Sequence, residues 1–280
     1  MLQSPLKTRG CVMKTADWID PHGLRLFKKY GQNFLSDDRI AMKIVEVGET
    51  QSTDRLVEVG AGCGTLTHEL LRTGLPVHAF EIDPRFEKVL RSRFGQLPNF
   101  HLYITDFLNY KPESYWQEGE WVFFGNLPYN VSVAILRKAL FDFRSVRRWV
   151  FMFQYEVALR LCAFPGSKDY GSLSILVQSV TRPQIAFKVS KSHFKPSPKV
   201  DSAVVTLDPI DPEIPEGERD AFSAFVRKGF ANRRKMLKNN FPEEGRLPHW
   251  LESLSKPLTT RAEELGVTDW ISLYKLWKQG

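Results

Sequence analysis

The chain has 280 residues, with 39 Lys+Arg against 32 Asp+Glu, a formal charge of +7 and 42% hydrophobic residues. That apolar content excludes a disordered chain, and the length suits one large domain with a small annex. No apolar run approaches the ~18 residues of a membrane span, and Cys11, Cys63 and Cys162 lack the paired spacing of a disulfide scaffold or a zinc site.

Residues 1–30 read as an N-terminal extension without a signal-peptide core, which leads to the expectation of a cytoplasmic protein. Short apolar runs then alternate with helical patterns. Residues 55–59, 77–82, 101–104, 121–124 and 149–153 are strand-like, and residues 40–47, 66–71, 86–94, 134–141 and 157–163 are helix-like. Such alternation builds a parallel sheet covered on both faces. Residues 174–180, 184–189 and 203–207 add further strand patterns, the last two readable as an antiparallel pair. Residues 208–220 carry three prolines and six acids around one arginine, which predicts an extended linker between a domain at 31–207 and a second at 221–280. In that second domain Phe222, Val226, Phe230, Leu237 and Phe241 share one face of a helical wheel, with Arg233 on the same side. Arg227, Lys228, Arg234, Lys235 and Lys238 occupy the other. Arg233 is therefore a candidate for a buried ion pair or a ligand contact.

The positive charge is uneven. From residue 207 onward 12 bases balance 12 acids, so the excess lies earlier, as 27 bases against 20 acids. It concentrates in residues 7–29, 137–160 and 182–199, and the last of these holds five bases and no acid. Three such clusters point to a polyanion, most simply nucleic acid.

The first strand runs into Glu58-Val59-Gly60-Ala61-Gly62-Cys63-Gly64-Thr65-Leu66-Thr67, three glycines spaced by two before a helix. Glycine lets the chain turn tightly and a ligand lie against the backbone. Thr65 stands where a dinucleotide fingerprint needs its third glycine, and no triphosphate-binding P-loop occurs. Glu81 ends the second strand, where a carboxylate can accept from both hydroxyls of a ribose, and Asp106 follows the third, where it can reach an adenine amino group. The fourth strand ends in Asn126-Leu127-Pro128-Tyr129-Asn130. An adenine N6 is a poor nucleophile because its lone pair is delocalised into the ring. Acceptors at the Asn126 side chain and the Leu127 carbonyl favour the pyramidal amine, Pro128 pins the turn, and Tyr129 offers a stacking face.

Six segments together resemble the KsgA/RsmA rRNA adenine dimethyltransferase family. They are Lys28-Lys29-Tyr30-Gly31-Gln32-Asn33-Phe34-Leu35, the glycine loop, the asparagine turn, Tyr170-Gly171-Ser172-Leu173-Ser174, the run from Phe194-Lys195-Pro196 through Lys199 to Ser202, and Phe230-Ala231-Asn232-Arg233-Arg234-Lys235. The resemblance implies an α/β, Rossmann-like class I methyltransferase fold, with a mostly parallel seven-stranded sheet and a small all-α C-terminal domain. It implies S-adenosylmethionine as methyl donor, no metal, and action as a monomer on small-subunit rRNA within an immature 30S particle, away from membranes. The expected reaction is dimethylation of two adjacent adenosines near the 3′ end of that RNA. Cofactor contacts are expected at Gln32, Asn33, Leu35, Glu58, Gly60, Gly62, Glu81, Ile82, Asp106, Phe107 and Asn126. The target site is expected at Asn126, Leu127, Tyr129 and Phe194, with Phe194 stacking opposite Tyr129. RNA contacts are expected at Arg147, Arg148, Lys195, Lys199, Arg227, Arg234 and Lys235. Ser172 and Tyr155 depart from residues common in the family and bear on RNA contacts alone. The rival readings are the resistance methyltransferases of large-subunit rRNA, which commonly carry Asn-Ile-Pro-Tyr, and an assembly factor whose methylation is secondary. A nicotinamide dehydrogenase is a distant third.

Overall fold

The computed structural model describes residues 33–279; the 1–30 extension, Gln32 and the basic cluster at 7–29 lie outside them. A seven-stranded sheet has the order β4-β3-β2-β5-β6-β9-β7. Its strands are β2 (Asp54–Val59), β3 (Val77–Glu81), β4 (Phe100–Ile104), β5 (Glu120–Asn126), β6 (Val146–Gln154), β7 (Thr181–Val189) and β9 (Ser202–Pro209). The pairs β2–β3, β3–β4, β2–β5 and β5–β6 are parallel. A separate two-stranded ribbon pairs β1 (Phe34–Leu35) antiparallel with β8 (Phe194–Lys195), placing Leu35 opposite Phe194.

Burial follows position in the sheet. Interior strand β3 is buried at every residue, as a parallel strand covered on both faces must be, whereas edge strand β7 alternates exposed with partly covered residues. Helices α1 (Asp38–Glu46), α2 (Thr65–Leu71), α3 (Glu87–Phe94) and α4 (Ser132–Phe141) lie between successive strands, close to their predicted limits. The chain path from β2 runs outward through β3 and β4, then returns to the other side of β2 as β5. That reversal between β2 and β5 leaves a crevice beyond their carboxyl ends.

Three expectations are corrected. The apolar run at 174–180 is not a strand: residues Ser172–Gln178 form helix α6, after α5 (Tyr155–Leu161). Periodicity alone does not separate a buried strand from a buried helix in so short a run. Ser174 decides it here, because its Oγ accepts from the Gly171 N–H (3.1 Å) and donates to the Arg160 carbonyl (2.5 Å). The amphipathic pattern from Phe222 to Phe241 is likewise not one helix. Helix α7 (Arg219–Gly229) stops where Asn240 Nδ2 donates to the Gly229 carbonyl at 2.6 Å, and a 3-10 turn at Leu237–Asn240 returns Leu237 and Phe241 to the same core. Gly229 is required there, since a Cβ would sit 2.1 Å from the Trp270 ring. Finally, the acidic segment at 208–220 is not a plain extended linker: β9 continues to Pro209, Ile214 is buried, and a 3-10 turn at Glu216–Glu218 leads into α7.

Among the described residues the chain forms two compact units, one up to Tyr155 plus Ile185–Thr206, the other Glu156–Gln184 plus the chain from Leu207. Glu156–Gln184 joins the second unit because Ala163, Tyr170 and Ile175 pack into its helical core with Phe222, Phe225 and Trp270, and Tyr170 Oη donates to the Leu265 carbonyl at 2.9 Å. Helices α8 (Leu247–Ser253) and α9 (Val267–Gln279) complete that core. No helix among the described residues is long and apolar enough to cross a membrane.

Candidate active site

A cavity with an empty volume of about 970 Å³, its open mouth included, lies at the carboxyl ends of β2, β3 and β5. Its walls are residues 33–35, Glu58, most of residues 60–66, Glu81, Ile82 and residues 126–131. Gly60, Gly62 and Gly64 all have positive φ (84°, 55° and 85°), a conformation that side-chain-bearing residues rarely adopt. The three-glycine spacing is thus the backbone requirement of this turn.

Four of the loop's N–H groups are already used. Gly60 and Ala61 donate to the Phe80 carbonyl (2.8 and 3.1 Å), Gly64 to the Ala61 carbonyl (2.9 Å) and Gly62 to Glu81 Oε2 (2.7 Å). The loop therefore does not present the converging donors of a phosphate cradle. Thr65, where a dinucleotide site needs glycine, donates from Oγ1 to the Leu35 carbonyl at 3.1 Å and so ties α2 to β1.

Two carboxyl groups border the cavity. Glu81 accepts from Gly62 and, at 2.8 Å, from the Asp83 N–H; burial outweighs these bonds and pushes its pKa up to about 6. Glu58 accepts from Thr67 Oγ1 at 2.5 Å, and deeper burial pushes it up to about 8. On the opposite wall Asn126 Nδ2 donates to the Asn33 carbonyl at 2.9 Å, which leaves Oδ1 as that side chain's acceptor. The next turn is closed by its own bonds: Pro128 accepts from the Val131 N–H (3.1 Å) and the Tyr129 carbonyl from Ser132 Oγ (3.1 Å). Tyr129 Oη meets Ser202 Oγ at 2.6 Å, and burial raises the phenol's pKa, so it stays protonated.

The cavity brings together Asn33, Leu35, Glu58, Gly60, Gly62, Glu81, Ile82, Asn126, Leu127 and Tyr129 among the expected site residues. Others fall elsewhere. Asp106 accepts from Leu108 N–H (2.9 Å) and Asn109 Nδ2 (2.8 Å) within its own loop. Phe107 is a core ring stacked on Phe143 at 5.6 Å, and Phe194 is only 2% exposed inside the apolar core. None of these three lines the cavity. Arg147 pairs with Asp54 (2.7 Å) and donates to the Glu49 carbonyl, while Arg148 pairs with Glu49 (2.8 Å) and donates to the Val47 carbonyl. The guanidinium groups hold β6 to the first residue of β2 and to the connection before it, which removes them from the candidate RNA contacts. Lys195, Lys199, Arg227, Arg234 and Lys235 are exposed. Arg233 is neither buried nor apolar-facing; it donates to the Ser167 carbonyl (3.0 Å) and pairs with Glu263 (3.8 Å).

Sequence reasoning missed four supports. Ser202 holds Tyr129 from 73 positions away, and the Thr65 tie reaches across 30. The partly buried Arg93 donates from Nη1 to the Cys63 carbonyl, another contact without local signal. Gly125 did carry a signal, because a Cβ there would meet Leu127 at 2.7 Å and the Val59 carbonyl at 2.9 Å. Among the described residues no group of His, Cys, Asp and Glu could hold a metal ion.

A mostly parallel sheet whose switch point carries a glycine loop, a buried carboxylate at the end of β3 and an asparagine turn defines a Rossmann-like methyltransferase. The family model described as Ribosomal RNA adenine dimethylase matches residues 23–278. The chain belongs to that family and is an rRNA adenine dimethyltransferase, for which the fold family implies S-adenosylmethionine as methyl donor. A Thermotoga maritima relative named Ribosomal RNA small subunit methyltransferase A is 40% identical over 272 residues, spanning 96% of this chain and 92% of its own. A Chlorobium phaeobacteroides relative of the same name is 38% identical over 254 residues, spanning 89% and 92%. Among solved structures, a dimethyladenosine transferase from Plasmodium falciparum superposes with TM-score 0.71 at 24% identity, covering 88% of this chain and 98% of that one. The 23S rRNA methyltransferase ErmE superposes with TM-score 0.67, also at 24% identity, covering 87% and 98%. These two likenesses establish the fold.

Proposed function

We propose that this chain dimethylates the N6 of two adjacent adenosines near the 3′ end of small-subunit rRNA, during assembly of the small ribosomal subunit. The observation that carries the reading is one cavity walled on one side by the glycine loop and Glu81 and on the other by the asparagine turn. Leu127 in that turn, the Tyr170–Ser174 motif and the names of the relatives favour the small-subunit RNA over the large-subunit one.

S-adenosylmethionine fits the residues present. It has no phosphate, and the loop has no spare run of donors for one; its sulfonium is a cation, and Glu81, which at about 6 is still ionised at neutral pH, faces the cavity. When bound it supplies an electrophilic methyl group. Glu81 would accept from the ribose hydroxyls with the lone pairs that Gly62 and Asp83 leave free, and Ile82, 43% exposed, would cover one face of the adenine. An adenine contact by Asp106 would replace its bond from Asn109. Asn33, Leu35 and Gly60 would line the methionine part.

At the target side Asn126 Oδ1 and the Leu127 carbonyl would accept the two N6–H groups and favour the pyramidal amine. The carbonyls of Pro128 and Tyr129 are occupied within the turn, so Leu127 is the neighbouring acceptor. Tyr129 would stack on the extruded base. No side-chain base is needed, because the product ammonium can lose its proton to water. Lys195, Lys199, Arg227, Arg234 and Lys235 would neutralise phosphates.

The test is incubation with unmethylated small and large ribosomal subunits, followed by nucleoside mass spectrometry and primer extension. Dimethyladenosine confined to the small-subunit RNA is expected; product confined to the large-subunit RNA would overturn the assignment.

A further inference from the structure

We propose that Ser202 is a positioning residue: its hydroxyl fixes the Tyr129 ring plane, and through it the second of the two methyl transfers to each adenosine. The inference deepens the function proposed above and rests on its reading of Tyr129 as the stacking face.

The geometry carries it. Tyr129 lines the cavity, and its phenol oxygen lies 2.6 Å from Ser202 Oγ. Ser202 is fully buried at the first residue of β9, so its hydroxyl sits in the sheet and not on a loop. The preceding residue is anchored three times: the Asp201 carbonyl accepts from the Tyr155 N–H (3.0 Å), and its carboxylate pairs with Lys188 (2.9 Å) and accepts from the Lys191 N–H (3.1 Å). At the other end of the tyrosine, the Tyr129 carbonyl accepts from Ser132 Oγ. The ring is therefore held at its backbone and at its tip, which leaves one χ1 well of the three a side chain otherwise samples.

Stacking alone does not require the hydroxyl, because phenylalanine presents the same face. A tyrosine whose oxygen points into the sheet thus uses that oxygen for orientation. In each transfer the N6–C bond forms as the S–C bond breaks, the thioether leaves with the electron pair, and the ammonium loses its proton to water. Before the first transfer the amine has two N–H groups for two acceptors. Afterwards it has one, plus a methyl group that must be turned off the line of attack. With half its hydrogen bonds gone, the base depends more on the stacking ring to stay aligned, and misalignment by about 1 Å is costly in rate. Loss of the Ser202–Tyr129 bond should accordingly spare the first methylation more than the second.

The test measures N6-methyladenosine and N6,N6-dimethyladenosine under single-turnover conditions for the parent enzyme, Ser202→Ala, Tyr129→Phe and the double variant. Each single variant is expected to raise the mono-to-dimethyl ratio roughly 3- to 10-fold, the range one net hydrogen bond supplies. The double variant should match the singles, and calorimetric affinity for S-adenosylmethionine should stay within about twofold in all, since no cofactor contact is removed. An unchanged ratio, or a double variant equal to the product of the two singles, overturns the proposal. Should Ser202→Ala fail to fold, Tyr129→Phe decides alone, because it removes only the oxygen. A parent enzyme that makes neither product would instead indict the reading of the site, whereas normal parent activity with insensitive variants indicts Ser202 alone.

Discussion

The cavity wall and the basic turn at 231–235 handle their polar groups in opposite ways. Around the cavity nearly every functional group has a fixed protein partner: Asn126 on Asn33, Glu81 on Gly62 and Asp83, Tyr129 on Ser202, Thr65 on Leu35. In the turn, Arg234 and Lys235 are exposed. Methyl transfer demands sub-ångström placement, so its groups are preorganised by bonds made before any ligand arrives. Phosphate neutralisation depends on charge and tolerates side-chain freedom, so exposed flexible cations suffice.

If that contrast holds, substitutions at the wall should alter chemistry or cofactor affinity, and substitutions in the turn should alter salt dependence. The largest effect is expected from Asn126→Ala. Removing the amine's acceptor should lower the single-turnover methylation rate by about 10²–10³, as loss of a preorganised polar group typically does. A rate within threefold of the parent would separate the asparagine turn from catalysis.

Next comes Glu81→Ala, which deletes the acceptor for the ribose hydroxyls and releases the Gly62 and Asp83 N–H groups. Calorimetry should show S-adenosylmethionine affinity weakened by about 1–3 kcal/mol. The raised Glu81 pKa adds a pH signature. Protonation removes acceptor lone pairs, so affinity should fall as pH drops below about 6, and that fall should vanish in Glu81→Ala.

In the basic turn, Arg234→Gln with Lys235→Gln should leave cofactor affinity intact. Particle binding should weaken, and the slope of log affinity against log salt should drop by about 1.4–1.8, at 0.7–0.9 per lost phosphate contact. Parallel salt plots for variant and parent would show that the turn does not touch RNA.

A separate effect, on the fold and not on the reaction, concerns stability. Burial holds Glu58 near 8 and Glu81 near 6, both above the ordinary carboxyl value of 4.5. A carboxyl raised in the folded state binds its proton more tightly there than in the unfolded chain. Its contribution is therefore complete at pH below 4.5 and is lost as pH rises through the folded value. Stability attributable to Glu58 should decline between pH 4.5 and 8, and Glu58→Gln should flatten the decline in denaturant titrations. An unaltered pH profile would mean that the carboxyl is not desolvated.

The contrast also explains what could be read from the chain. Strand-to-turn punctuation was legible because it is local: apolar β2 followed by glycines at positive φ, and β5 followed by Asn-Leu-Pro-Tyr. The supports were not. Ser202, Arg93 and the carbonyl of Asn33 reach the site from distant positions, and no local pattern marks a hydrogen-bond partner 93 residues away. Charge clustering misled at Arg147 and Arg148 because sequence counts cations and cannot see the Asp54 and Glu49 carboxylates that engage them. Periodicity misled at Ser172–Gln178 and beyond Gly229, where single side-chain hydrogen bonds from Ser174 and Asn240 settle the backbone. Aromatics at the expected cofactor and target positions were ambiguous in the same sense. Tyr129 reaches the cavity, whereas Phe107 and Phe194 joined the core.

The central claim is that a single cavity seats the methyl donor and the target adenine together. A bisubstrate compound with adenosine N6 tethered to the sulfur-side carbon of a donor analogue tests this most directly, by calorimetry on the parent, Glu81→Ala and Tyr129→Ala. Tighter binding than either half alone, weakened by both substitutions, is the predicted result. Affinity that responds to Glu81 but ignores Tyr129 would place the target base elsewhere and contradict it.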